Sequence, residues 1–420
     1  MRHLFHLAWR SAWNRRLTLG LTLTAIALSV TLLLGVERLR HDAHRGFSLS
    51  VSGTDLVVGA RTSPVQLMLY AVFRIGEATN NIRWESAQQI VNHPLVAWAV
   101  PISLGDSHRG FPVMGTSGAY FDHYRYGDSQ SLILQSGNPF RDTFDVVLGA
   151  EVAATLGYHL GDRIVLSHGM GGAGLPEHHD KPFTVTGILA PTGTPVDRTL
   201  HIPLEGMSAI HLDWVGGAPM PGFAIPSEYV KKFDLTPKEV TAVLVGLKSR
   251  AAVFRVQRQI NETPAEPLLA VMPGVALEQL WHVVGVAEQA MLAVSAMVVA
   301  VGLSGLVAVI LASLNERRRE LAILRAVGAR PHDIFLLMTG ESLLVTLGGV
   351  MLGVLLLFGA TLLLAPQIQA AYGIPLRTML VSWEELKLLA VVIVIGLLAG
   401  LIPGYRAYRI SLTDGLMPRI

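Results

Sequence analysis

The chain has 420 residues, of which 51% are hydrophobic and 15% charged. Its mean hydropathy of +0.46 excludes an ordinary soluble protein and points to a membrane class. A formal net charge of +2 gives no electrostatic footprint for nucleic acid, and the absence of cysteine excludes disulfides, thiolate metal sites and a cysteine nucleophile.

Residues 1–16 carry Arg2, Arg10, Arg15 and Arg16 with no acidic residue and read as a cytoplasmic amphipathic segment. The run 17–36, LTLGLTLTAIALSVTLLLGV, meets the requirement of about 20 apolar residues for a spanning helix. It is longer than the about 7–15 apolar residues of a signal peptide, and GVERLRHD offers no small-x-small cleavage site, so an uncleaved anchor is expected. Residues 37–289 then read as mixed α/β. Strand-like runs at 54–59, 145–148, 163–166, 183–189 and 240–247 are β-branched and bounded by Gly, Pro or Asp. Helical patterns lie at 85–91, 150–156, 203–210 and 251–261. Two subdomains are expected, a strand-rich 92–230 and a second α/β layer from 55–91 and 232–270. At 277–289 the apolar residues Leu277, Leu280, Trp281, Val284 and Ala287 share one helical face. This is either a stalk that runs unbroken into the next span or a packing helix that stops at the interface.

A second span covers 290–314, a cytoplasmic loop 315–333, a third span 334–364, a short periplasmic loop 365–385, a fourth span 386–405 and a tail 406–420. Arginines 317, 318, 319, 325 and 330 crowd the 315–333 loop, and 406, 409 and 419 the tail, so the positive-inside rule puts both termini and that loop in the cytoplasm. The predicted fold class is an α-helical inner-membrane protein with four transmembrane helices plus a large mixed α/β extracytoplasmic domain between helices 1 and 2. No Lys, Arg or Asp lies mid-span, which removes the usual markers of an ion path. Glu341, about two turns into the third helix, reads as an interfacial carboxylate. Gly349 and Gly353, and Gly396, Gly400 and Gly404, recur at four-residue steps, the pattern of close helix packing, although single membrane glycines are also simply tolerated.

Twelve of the fifteen histidines fall within 37–289. In SHGMGGAGLPEHHDK, His168, His178, His179 and Asp180 supply imidazoles and a carboxylate suited to zinc or copper. The spacing fits no standard finger, and a solvated histidine-rich loop is the other reading. No spacing suggests a Ser-His-Asp or paired-carboxylate site, so the chain is not expected to be an enzyme.

The loop sequence NERRRELAILRAVGARPHDIF, 315–335, sets Leu321, Ile323, Leu324 and Val327 at helical spacing among charges and ends at Gly328, giving a short amphipathic helix. Its E-R-R-R-E-x-x-I-L-R-A-x-G-A pattern, just after the second span, resembles the FtsX-like permease family, with its MacB-type and LolC/LolE-type members. VVLGAEVAATLGYHLGDRIVL, 146–166, resembles the family's V-L-G-x-x-x-A-x-x-L-G-x-x-x-G-D unit, and FTVTGILAPTGTPVDRTLHIPLE, 183–205, its V-x-G-I-L-x-x-T-G-T-x-x-D segment. The ending PGYRAYRISLTDGL, 403–416, departs from the family at Leu412, where proline is usual, and at Gly415, where alanine is.

The resemblance implies the permease subunit of an ABC transporter that works by mechanotransmission, exporting or extracting a substrate at the periplasmic face. Glu316, Arg317, Arg318, Arg319, Glu320, Leu324, Arg325, Gly328 and Ala329 would form the ATPase-coupling surface. No G-x-x-x-x-G-K-[ST] phosphate cradle occurs, so the chain is expected to bind no cofactor of its own, with ATP and magnesium held by a separate cytoplasmic ATPase. The implied partners are that ATPase, a second permease copy in a homodimer, a periplasmic adaptor or lipoprotein, and membrane lipid. The alternatives are an FtsX-like regulator of a cell-wall hydrolase and a metal-linked transporter subunit.

Overall fold

A computed structural model describes residues 16–169, 177–215, 218–220, 225–316, 318–372 and 381–409. The chain divides at Asp42 and at Val284 into a membrane unit and an inter-span unit. In the membrane unit four helices are long and apolar enough to span, Arg16–Asp42, Val284–Leu314, Pro331–Ala365 and Trp383–Arg409. The helices themselves run further: Arg16–Leu49, Pro273–Glu316 and Pro331–Tyr372. The second span and the stalk predicted at 277–289 are thus one helix, and the start of the supposed loop 365–385 is helical as far as Tyr372.

Lipid tails are as apolar as leucine, so spans are held by close packing and polar contacts rather than by a hydrophobic drive. Ile26, Val30, Leu34, Leu303, Leu306 and Val392 form part of the bundle's buried cluster. Ser29 Oγ donates to the Ala25 carbonyl at 2.8 Å and lies 3.3 Å from the Val298 carbonyl of the second span. Thr31 Oγ1, 3.0 Å from the Gly353 carbonyl, does the same toward the third.

At one end of the bundle Arg38 donates from Nε to Glu385 Oε1 at 2.8 Å and from Nη2 to Oε2 at 3.0 Å, with both side chains buried. Glu385 is fixed in turn by a reciprocal cap. Its Oε2 accepts from the Ser382 N–H at 2.8 Å, and its own N–H donates to Ser382 Oγ at 3.2 Å, closing the Ser-x-x-Glu box that starts the fourth helix. Planar, bidentate arginine–carboxylate pairs are the strong kind. Removing one partner strands a buried charge, so Arg38→Ala is expected to destabilise the membrane unit by roughly 3–5 kcal/mol. The apolar pair Arg38→Met with Glu385→Leu is expected to be close to neutral. Thermal unfolding in detergent checks both.

The inter-span unit is built on one mixed sheet of eleven strands: β1 Leu56–Ala60, β2 Val96–His108, β3 Phe111–Thr116, β4 Leu134–Gly137, β5 Asp145–Leu148, β6 Arg163–Ile164, β7 Ser167–His168, β8 Phe183–Leu189, β9 Leu200–Pro203, β10 Ala242–Leu247 and β11 Leu268–Val271. Its order is β11-β1-β10-β2-β3-β9-β5-β8-β4, with β7 pairing β2 and β6 pairing β8. Pairing is antiparallel except β3 with β9 and β5 with β8.

Strand β2 links the two layers expected from the sequence. Residues 96–102 of this 13-residue strand pair with β10 and residues 102–108 with β3, so both layers share one sheet. Side chains alternate across a strand, so Val57, Ile102, Ala242 and Leu244 enter one core cluster. Leu56, Val58, Val243 and Val245 enter another. The first includes Leu67 and Met68 of helix α1 (Pro64–Ala71) and Ala276 and Leu277 of the long helix. The second includes Ala87 and Ile90 of α2 (Trp84–Val91) and Val256 and Ile260 of α5 (Val253–Asn261). Sheet residues that are buried on both faces explain the continuous apolar runs in the sequence. Helices α3 (Ala150–Leu156) and α4 (Leu204–Ile210) bring Val152, Met207 and Ile210 to a third cluster over β5, β8 and β9.

Candidate functional site

Asp106, His168, His178 and His211 each turn one ligand atom inward, and these atoms all lie within 4.8 Å of one another. The sheet and the chain's return paths bring them together. Gly105, at φ +151°, sits in a bulge that shifts the β2–β3 register between Leu104 and Asp106, and bulges commonly re-aim side chains at functional sites. His168 on β7 is the direct cross-strand partner of Asp106, so the two side chains share a face. The chain comes back beside β7: Ser167 bridges Glu177, and the His178 N–H donates to the Leu166 carbonyl at 2.9 Å. His211 follows α4 directly, and its Nδ1 donates to the Met207 carbonyl at 2.9 Å. That bond leaves Nε2 as the inward-facing atom. Trp214 lies against the group, its ring centroid 4.3 Å from that of His178.

His168 Nδ1 is 3.1 Å from Asp106 Oδ1 and 3.0 Å from His211 Nε2, and His211 Nε2 is 3.5 Å from the same carboxylate oxygen. Burial alone would raise the Asp106 carboxyl, but hydrogen bonds from His168 and His211 outweigh it and hold the group down to about 2. Burial lowers His211 too, yet the bond to Asp106 and its charge raise that imidazole on balance. Burial takes His178 down to about 4, so it is neutral. Among the described residues, neither nitrogen of the fully buried His178 and not Asp106 Oδ2 has a hydrogen-bond partner. Each such orphan costs about 1–3 kcal/mol.

Two residues of the sequence-derived metal set, His168 and His178, are in this group; His179 and Asp180 are not. After His178 the chain turns, the Lys181 N–H donating to the His178 carbonyl at 3.1 Å. His179 is in that turn and faces solvent, where Nε2 meets Glu177 Oε2 at 3.0 Å. Asp180 accepts from the buried Lys181 ammonium at 2.6 Å, which also binds Asp213 at 2.8 Å. Asp106 and His211 were missed because they lie 62 and 43 residues from His168 and carry no local spacing signal.

The helix of the 315–333 loop spans Arg318–Ala326. Leu321 is buried and Leu324 partly buried in a cluster with Leu314, Ile334, Met338 and Ala407 at the ends of the other spans. Glu320 is exposed, and Arg325 and Ala329 are half-buried. Gly328, at φ +108°, ends the helix, and the Ala329 N–H donates to the Leu324 carbonyl at 3.0 Å. Arg317 lies outside the described residues, as do the side chains of Glu316, Arg318 and Arg319. The apolar residues that face outward are Ile323, 61% exposed, and Val327, 83% exposed, one turn apart. The predicted coupling set omitted both.

The membrane glycines sit at close approaches. A Cβ on Gly349 would press into Ile26, and one on Gly353 into Val30 and the Ala27 carbonyl. On the fourth helix Gly396, Gly400 and Gly404 face Thr346, Ser342 and Thr339 in turn.

Residues 19–263 match the family described as MacB-like periplasmic core domain, and residues 292–412 match FtsX-like permease C-terminal. The chain is 32% identical over 119 residues to the macrolide export ATP-binding/permease protein MacB of Hahella chejuensis (strain KCTC 2396), a stretch covering 28% of this chain and 17% of that protein. Two solved structures resemble it. The periplasmic region of MacB from Actinobacillus actinomycetemcomitans is 11% identical with a TM-score of 0.34, covering 55% of this chain and 94% of that one. The extracellular domain of the noncanonic ABC-type transporter YknZ from Gram-positive bacteria is 12% identical with a TM-score of 0.29, covering 52% and 99%.

Within the matched core, the two motif segments at 146–166 and 183–205 meet at Gly149 and Asp197. The Asp197 carboxylate accepts from the N–H groups of Thr192 at 2.8 Å and Gly193 at 2.7 Å and from Thr192 Oγ1 at 2.8 Å. The Gly149 N–H donates to the Thr199 carbonyl at 2.9 Å. A Cβ on Gly149 would overlap the carbonyl oxygens of Val196 and Asp197, which are backbone and cannot swing aside. Gly149→Ala is therefore expected to cost about 1–3 kcal/mol, read as a lower unfolding midpoint of the full chain.

Proposed function

Because the chain belongs to the FtsX-like permease family with a MacB-like periplasmic core domain, we propose that it is the transmembrane subunit of an ABC transporter in the bacterial inner membrane. Arginine placement sets both termini and the 315–333 loop in the cytoplasm and the core domain in the periplasm. In this reading ATP and magnesium are held by a cytoplasmic ATPase, two copies of which serve two copies of this chain. Dimerisation of the ATPases on ATP pushes on the helix Arg318–Ala326, and the core domain delivers the motion to a substrate at the periplasmic face, with a periplasmic adaptor or lipoprotein as its partner there.

One observation carries this reading. The helix Pro273–Glu316 is unbroken over 44 residues, or about 66 Å. Ala276 and Leu277 near one end are buried in the α/β core, with Leu280 and Trp281 packed against it. Leu311 and Leu314 near the other belong to the cluster that seats Leu321 of the coupling helix. A push received at Leu321 is passed to a helix that ends among core residues. With no Lys, Arg or Asp mid-span, a substrate path between the helices is unsupported, and force transmission needs none.

Ile323 and Val327 supply the apolar contact for a groove on the ATPase. Ile323→Asp or Val327→Asp places a carboxylate in that contact and is expected to reduce ATPase co-purification at least about tenfold, while fold is retained because both residues are exposed. Capture of a nucleotide-hydrolysing subunit by tagged chain from its own membranes provides the readout. Undiminished capture by both variants would remove this helix from the coupling role, and a chain that never captures such a subunit would remove the transporter reading.

A further inference from the structure

We infer that Asp106, His168, His178 and His211 form a closed four-ligand site for one Zn²⁺ ion in the periplasmic core domain. A tetrahedron with metal–ligand bonds of 2.0–2.1 Å has edges of about 3.3 Å. Three edges of this group already measure 3.0, 3.1 and 3.5 Å, those joining His168 Nδ1, His211 Nε2 and Asp106 Oδ1. The fourth ligand, from His178, lies within 4.8 Å of the other three. The donors suit the metal as well as the distances do. Three imidazoles and one carboxylate match borderline zinc, and a square-planar preference such as that of Cu(II) fits poorly with ligands that converge from a strand, its cross-strand neighbour, a returning loop and a helix end.

The Met207 carbonyl orients His211 by its Nδ1–H, as metal-bound histidines are usually oriented. Of the orphaned groups, one nitrogen of the fully buried His178 would ligate the ion, and Asp106 Oδ2 lies on the carboxylate that would ligate it. Lys181, the nearby buried cation, is taken up by Asp180 and Asp213, so Asp106 remains the carboxylate facing the cluster. With four protein ligands the ion has no open position for water, which assigns it a structural or sensing role rather than hydrolysis. It would pin β7, the His178 return and the end of α4 to β2.

The test uses the full chain in detergent, stripped with a chelator and reloaded with zinc or cobalt chloride; it reads metal and stability, not ATPase coupling, so it fails or succeeds apart from the transporter reading. The expected result is a zinc equivalent retained through gel filtration, a rise in unfolding temperature on zinc addition, and the intense visible bands of tetrahedral Co²⁺. His178→Ala and His211→Ala should each lose that equivalent and the thermal shift, while His179→Ala and Asp180→Asn keep both. If the alanine variants fail to fold, His211→Cys, the sole thiol of this chain, should hold Co²⁺ with a thiolate-to-metal charge-transfer band. Zinc that persists in folded His178→Ala and His211→Ala, zinc lost in His179→Ala, no bound zinc in the parent chain, or no charge-transfer band in His211→Cys would each overturn the site.

Discussion

The helix Pro273–Glu316 keeps a single hydrogen-bond ladder while its surface changes from amphipathic to apolar. Its first turns are amphipathic and contribute Ala276 and Leu277 to an α/β core, while its later turns are apolar all round, as a helix in lipid must be. Kinks arise mostly at proline or at inserted polar groups. The one proline here, Pro273, stands at the helix's first position, where a missing N–H costs nothing. The fourth helix is different: it carries Pro403 within its length, next to Gly404, whose missing side chain lets Thr339 and Phe335 approach.

Around that helix, the membrane unit is assembled by two devices that act without hydrophobic drive. Small residues permit contact: Gly396, Gly400 and Gly404 form a strip on the fourth helix into which Thr346, Ser342 and Thr339 fit, with the hydroxyls of Ser342 and Thr346 already bonded to backbone within the third helix. The Arg38–Glu385 pair then fixes which ends lie together. Desolvating both charges costs about as much as their attraction returns, so the pair contributes more to register than to stability. A slip of either helix would break both of its hydrogen bonds at once.

The spans were legible because a bilayer imposes a length and a composition that few other structures share, and 17–36, 290–314, 334–364 and 386–405 fall inside the four helices. Strands 145–148 and 183–189 were legible for a related reason, since buried β-branched runs bounded by turn residues have few other uses. The link between the two α/β layers was not, because it is a single long strand, one half of which pairs with a strand far along the chain and the other with the strand that follows it. Local pattern cannot show pairing partners. The cluster around His168 was hidden for the same reason. Adjacent His178 and His179 look like a chelating pair in sequence, yet a turn begins at His179 and carries it to solvent, and the other residues that gather at His168 arrive through sheet register and a helix end. The motif glycine Gly149 and Asp197 were visible as pattern, but only the fold shows that they touch.

Strand β2 connects the two functional readings within the core domain. Val100 and Ile102, near its middle, share a cluster with Ala276 and Leu277 of the long helix, and beyond Ile102 the same strand presents Asp106 to the histidines. A cation at that end is thus only a short stretch of paired backbone away from the residues where the long helix enters the core. Proximity alone does not make it a driver. A ligand that binds two arrangements equally well shifts neither, however tight it is. Zinc would alter the transport cycle only if the cycle moved β7 or the end of α4 relative to β2, for only then would its four bonds differ between states. By the same linkage, the ATPase would then change zinc affinity by an equal factor. If β2, β7 and α4 move as one body, the ion would be a rivet, and its contribution would be confined to the stability of the core domain.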